Sequence, residues 1–112
     1  LCLLGIGATD PNETLALGKA DDDAEARATL RGLGVVAELL GQFLDAAGKL
    51  VGTPWDGRVM APGLDALAGR EVVAVAGGRH KREAIAAALR SGCLTGLITD
   101  ERTAAALVDH AL

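Results

Sequence analysis

Aromatic side chains are nearly missing from this sequence: Phe43 and Trp55 are the whole complement. Proteins that grip single-stranded nucleic acid stack its bases on aromatic platforms, so the composition argues against that class. Cysteine is almost as scarce. Cys2 and Cys93 stand in neither a Cys-x-x-Cys nor a zinc-ligand spacing, and two cysteines make no disulfide framework. They read as small core hydrophobes, and a reducing, cytoplasmic setting is the expectation. No apolar run approaches the roughly 20 residues that span a bilayer, so no membrane partner is expected. No charged segment precedes the short apolar start, as a signal peptide requires. An excess of base is lacking too. The formal net charge is −4, whereas a phosphate-backbone binder usually presents a basic face. A Walker loop, a Ser–His–Asp order and a metal-spaced cluster do not occur, and "GIGATD" only begins like a dinucleotide fingerprint. No cofactor and no metal are expected.

What is present is a chain of 112 residues, half of them apolar and dominated by Ala, Leu and Val. That is enough for one core, so residues 1–112 are expected to form a single domain. The start at Leu1, without methionine and inside a strand pattern, suggests part of a longer protein. Charge is uneven, with acid at "DDDAE" (Asp21 to Glu25) and base at "RHKR" (Arg79 to Arg82).

"LCLLGI" predicts a buried strand over Leu1 to Ile6, stopped by Gly5 and Gly7, with loop to Ala20. Asp21 or Asp22 is placed to cap a helix that Gly32 and Gly34 end. "VVAELLGQFLDAAGKLV" fits two readings: one amphipathic helix, or β-runs around a turn at Asp45 and Gly48. Loop follows through Gly63, with a short strand at Arg58 to Met60, and "LDALAG" suggests one helical turn. The last third is clearer. Val72 to Ala76 is a β-branched run suited to a strand covered on both faces. A helix is predicted over His80 to Ser91, a strand over Leu94 to Thr99, and a helix over Asp100 to His110. On that last helix Ala104, Leu107, Val108 and Ala111 form the apolar stripe. Strand, helix, strand, helix with short links implies parallel strands.

Ligands of open parallel sheets bind beyond the carboxyl ends of the strands. Gly77 and Gly78 fall there, followed by a helix start whose N–H groups and dipole attract anions. Lys81 precedes Ile85 of the core stripe by one helical turn, and helical side chains lean toward the N-terminus. Its ammonium is therefore aimed at the mouth of the strand-end cleft; the plain alternative is that it extends past the core into water. Gly5, Ile6 and Gly7 close the first strand as the glycine pair closes a later one. Glu38, in an apolar surround, either faces water or is fixed to accept hydrogen bonds. Asp45 shapes its turn with Gly48. Asp100 is placed to cap the last helix. His80 and His110 have no acid–base partners in sequence.

Taken in order, "LLGIG", "GVVAELLGQFLDAAGKLV", "RVMAPGLDAL" and "VVAVAGGRHKREAIAAALRSGCLTGLITDERTAAAL" resemble the effector-binding domain of SorC/DeoR-type bacterial sugar-responsive transcriptional regulators. The resemblance covers nearly all the chain except Pro11 to Arg31. It implies an α/β fold: a Rossmann-like parallel sheet flanked by helices, similar to the NagB/RpiA/CoA-transferase-like fold. It also implies a short strand plus a hairpin, with Asp45 and Gly48 at the turn, rather than the helix for the ambiguous segment. A sugar phosphate is the implied effector and a homo-oligomer the implied assembly. DNA would be contacted only through a domain outside this chain. Glu38 matches the family carboxylate that meets sugar hydroxyls, and Lys81 the lysine of the glycine-pair motif. Gly5, Ile6, Gly7, Asp45, Gly77 and Gly78 complete the candidate effector site, with no catalytic residue among them. The chain departs from the family at Ala37, where Gly is usual, and at Leu44, where an aromatic is usual. It also matches only the C-terminal part of the domain. Two rivals remain: a sugar-phosphate isomerase or lyase of the same fold, which needs a general acid and base across the ligand, and a dimerisation module without ligand.

Overall fold

A computed structural model of the chain describes residues 1–10, 23–53 and 64–109. Strands β1 (Cys2–Leu4) and β2 (Gly7–Ala8) come first, then helix α1 (Asp23–Gly32) and the hairpin strands β3 (Val35–Leu39) and β4 (Gln42–Asp45). After a 3-10 turn at Leu64–Leu67 come β5 (Val72–Val75), a second 3-10 turn at Arg79–Lys81, α2 (Arg82–Arg90), β6 (Gly96–Ile98) and α3 (Glu101–Asp109). The strands make two sheets. One is parallel, in the order β1-β5-β6, and the other antiparallel, in the order β2-β3-β4. The strand expected over Leu1 to Ile6 is thus shorter. The chain leaves the parallel sheet after Leu4 and enters the other at Gly7, with Ile6 buried at the corner.

The ambiguous segment is a hairpin. β3 pairs antiparallel with β4, and the register shifts between Val35 and Ala37, as a β-bulge requires. The two strands meet through Leu40 and Gly41, both at positive φ (51° and 81°), the backbone a two-residue hairpin turn needs. A second turn follows β4. The Asp45 carboxylate accepts hydrogen bonds from the Ala47 and Lys49 N–H groups at 2.9 and 3.0 Å, and Leu50 returns to pair with Leu44.

Alternation of strand side chains sorts the hairpin into two faces, and the register shift between Val35 and Ala37 carries Val35 to the face of Phe43. Ala37, Leu39 and Leu44 join the main core with Leu4, Val72, Ala74 and α2, whereas Phe43 and Val35 pack on Leu30 of α1. α2 buries Ala84, Ile85, Ala87 and Ala88 and lies closest to β3. Three methyl-sized side chains are what permit that approach.

Two expectations are corrected here. β5 is covered on one face only: Val72 and Ala74 are fully buried, but Val75 is 51% exposed, in line with exposed Leu3 and Ile98 on the same sheet face. On α3 the buried residues are Thr103 and Leu107, while Val108 is 78% exposed. The buried stripe is rotated toward Thr103 because that hydroxyl has partners inside, described below. The cap at Asp21 or Asp22, the strand at Arg58 to Met60, His110 and Ala111 lie outside the described residues.

Candidate functional site

Because β1, β5 and β6 run parallel and pair Leu4 with Ala74 and Val75 with Ile98, their carboxyl ends lie together. The residues that follow them, Gly5 to Gly7, Gly77 to Lys81, and Thr99 with Asp100, gather at that end. β2 brings Gly7 beside Glu38 of β3, and the Arg79–Lys81 turn packs against β2. Six of the eight candidate residues are therefore brought together, Gly5, Ile6, Gly7, Gly77, Gly78 and Lys81, and Glu38 is joined to them through its pairing with Gly7. Asp45 is not. Its turn rests on the C-terminal end of α2, where the Arg90 guanidinium donates to the Ala46 carbonyl at 2.9 Å. A nine-residue helix is roughly 13 Å long, so α2 separates Asp45 from Lys81.

Glu38 is 7% exposed. Of the two readings the sequence left, this is the fixed carboxylate rather than the solvated one. It sits on the middle strand between Phe43 and Gly7, and Gly7 has no side chain to cover it. Lys81 is half-buried. It closes the 3-10 turn by donating its N–H to the Gly78 carbonyl at 3.1 Å, and α2 begins only at Arg82, two residues later than the expected start at His80, so Lys81 precedes the helix. His80 is drawn to Asp10, with Nδ1 3.5 Å from Oδ2, a pairing the sequence did not indicate.

The amide that follows the glycine pair's first residue is engaged within the protein. The Gly78 N–H donates to Thr103 Oγ1 at 3.0 Å and to Asp100 Oδ2 at 3.2 Å. A methyl group on Gly77 would run into the Asp100 carboxylate, with Thr99 Oγ1 3.3 Å away. The close approach at this pair is made by Asp100. That residue caps α3 as expected, its Oδ1 accepting from the Thr103 N–H at 2.8 Å. In addition Thr103 Oγ1, on a side chain 1% exposed, donates to Oδ2 at 2.7 Å.

These bonds have a titration consequence. The Thr103 N–H and hydroxyl, then the Gly78 N–H, hold the Asp100 carboxyl below its ordinary value of 3.8. A folded-state value lower than the unfolded one stabilises the fold fully above the unfolded pKa and is lost as pH falls through the folded one. Asp100→Asn is therefore expected to melt below the wild-type chain at pH 7. The difference should shrink once pH drops below about 4. Parallel melting curves across that range would refute the assignment.

A cavity of about 710 Å³ lies at the opposite end, by the amino ends of the strands, lined by Leu44, Leu50, Leu67, Glu71, Cys93 and Thr95 among others. It contains none of the eight candidates, and parallel sheets bind at the carboxyl ends. The candidate cluster lies instead at the carboxyl ends of the strands. A smaller polar crevice of about 170 Å³, bordered by Asp10, Arg31, His80 and Glu83, adjoins it. Among the described residues no group of three or more His, Cys, Asp or Glu is placed to hold a metal ion. Among them, too, no helix is long and apolar enough to cross a membrane.

A parallel sheet with helices packed on it, an antiparallel hairpin sheet beside it, and a carboxylate and an amine at the strand ends define an α/β ligand-binding domain. The chain belongs to the family described as "Putative sugar-binding domain", whose model matches residues 1–109, and its relatives are SorC/DeoR-type transcriptional regulators. It is 41% identical over 108 residues to the erythritol catabolism regulatory protein EryD of Brucella abortus, covering 96% of this chain and 34% of that protein. It is 43% identical over 77 residues to the transcriptional regulator LsrR of Escherichia coli K12, covering 67% of this chain and 24% of that one. The full-length sorbitol operon regulator SorC of Klebsiella pneumoniae superposes with a TM-score of 0.84 at 25% identity, over 95% of this chain and 34% of that chain. The sugar-binding domain of a transcriptional repressor from Vibrio fischeri superposes with a TM-score of 0.76 at 32% identity, over 97% and 44%. The chain thus spans about a third of the length of the Brucella relative. The family and the α/β fold, with its parallel sheet flanked by helices, are those the motif order implied.

Proposed function

We propose that this chain senses a phosphorylated sugar or polyol for a bacterial transcriptional regulator and performs no chemistry on it. The observation that carries this reading is a buried carboxylate, Glu38, paired across the sheet with Gly7 of β2, and a half-buried lysine, Lys81, on the turn that packs against the same strand. A carboxylate accepts hydrogen bonds, and ligand hydroxyls are donors suited to it. An ammonium complements a phosphate. One relative is named for erythritol catabolism and one solved neighbour for the sorbitol operon, which favours small polyhydroxylated effectors. The effector alters the regulator's oligomeric assembly and hence its affinity for DNA, which requires different effector affinities in the two assemblies. The setting is cytoplasmic.

An isomerase would need an acid and a base across the ligand. His80, the one imidazole among the described residues, is paired with Asp10, which favours a sensor. The test is a thermal-shift panel of erythritol, sorbitol, ribose and glucose phosphates. A compound at a hundredfold its dissociation constant adds about 2.7 kcal/mol of stability. Lys81→Ala and Glu38→Gln should lose that response, and Lys81→Ala should keep its unliganded melt within about 0.5 kcal/mol. Normal responses from both variants, or turnover of any panel member, would overturn the reading.

A further inference from the structure

Capping α3 needs one carboxylate oxygen of Asp100, the Oδ1 that takes the Thr103 N–H. The other bonds at this point do something else. Oδ2 accepts from the Gly78 N–H at 3.2 Å and from the Thr103 hydroxyl at 2.7 Å, and that hydroxyl itself accepts from the Gly78 N–H at 3.0 Å. Two side chains from the start of α3 thus converge on one amide that lies 22 residues away from Asp100 in sequence. From Gly78 the chain makes a single 3-10 turn, closed by the Lys81 N–H on the Gly78 carbonyl at 3.1 Å. Wherever Gly78 is held, Lys81 is held. Gly77 leaves no room for a side chain against the same carboxylate, so the backbone can approach Asp100 closely here.

We propose that Asp100 and Thr103 are positioning residues of the effector site, acting through Gly78 to set the location of Lys81. The inference rests on the reading of Lys81 as an effector contact. It assigns to the glycine pair the role of a tether point, its N–H spent within the protein. Anion recognition at this end then falls to the lysine side chain.

A double-mutant cycle tests it, because residues that act through one another give non-additive losses. Dissociation constants are measured by calorimetry for the panel compound with the largest wild-type shift. Thr103→Val removes the hydroxyl at nearly constant volume and should weaken binding about tenfold, while Thr103→Ser should return it to within about threefold. In a Lys81→Gln background, Thr103→Val should change the constant less than about twofold. Asp100→Asn, on the exposed side of the network, should give the same pattern should Thr103→Val fold poorly. Equal losses in the wild-type and Lys81→Gln backgrounds would overturn the positioning role while leaving the sensor reading intact. A wild-type chain that binds no panel member overturns the sensor reading, and this inference with it.

Discussion

Gly48→Ala lowers stability by about 3 kcal/mol or more, the larger of two glycine substitutions that look alike on paper. Gly48 has φ +84° and sits where the turn that follows β4 meets the end of α2. A β-carbon there lies 2.5 Å from the Ser91 nitrogen and 2.7 Å from the Ala87 carbonyl oxygen. Those two atoms are hydrogen-bonded to each other at 3.0 Å in the last turn of the helix. Both are backbone, so neither rotates aside, and the hairpin must lift from α2 or the helix end must open. Gly34, at φ +83° with nothing within 4 Å of a β-carbon, isolates the conformational part. Gly34→Ala should cost only the left-handed penalty, about 1–2 kcal/mol. Urea denaturation measures both, with a lowered midpoint at unchanged slope expected for each. Equal losses would mean that the hairpin does not bear on the helix as described.

That contact was half legible in the sequence. Asp45 and Gly48 announced a turn because Asp accepts from nearby N–H groups and Gly takes positive φ. Nothing local announced what the turn would touch. The Leu40–Gly41 turn went unread for the opposite reason: leucine is an uncommon residue at positive φ, and Leu40 lay inside an apolar run that a helix explains equally well. Glu38 could not be placed on a face until that ambiguity was resolved by pairing with Gly7 and Phe43. The segment from Val72 onward was read almost whole, since strand and helix periods alternate there without conflict. Even so, Val75 shows that a continuous apolar run does not establish burial on both faces. Val108 shows that a stripe chosen by hydrophobicity misses a buried threonine whose hydroxyl is satisfied. The Asp100–Gly78 link had no signature beyond a helix cap, because hydrogen bonds between distant residues leave no spacing in the sequence. The motif order supplied the family; pairing and packing supplied the neighbours of each site residue.

Ile85→Ala is expected to cost about 3–5 kcal/mol, a large share of the roughly 5–15 kcal/mol that holds a domain together. The reason lies in the composition of α2. Its buried residues are Ala84, Ile85, Ala87 and Ala88, so Ile85 is the one branched side chain of the helix that is fully buried in the core shared by the two sheets, with Leu89 packed against that core only partly buried. It is fully buried. Its alanine neighbours already hold the helix close to β3 and have no length with which to fill a void. The cavity therefore persists rather than collapsing, and persistent cavities are what raise the loss above the transfer term. Ile85→Val, which removes one methyl group, should cost only about 1 kcal/mol. Because α2 follows directly on the Arg79–Lys81 turn, the alanine variant should also respond more weakly to sugar phosphates, and the valine variant normally. Urea midpoints and the thermal-shift panel report these two effects separately. A loss near 1 kcal/mol for the alanine variant would show that the sheets close over the gap and that α2 is not the rigid spacer between them.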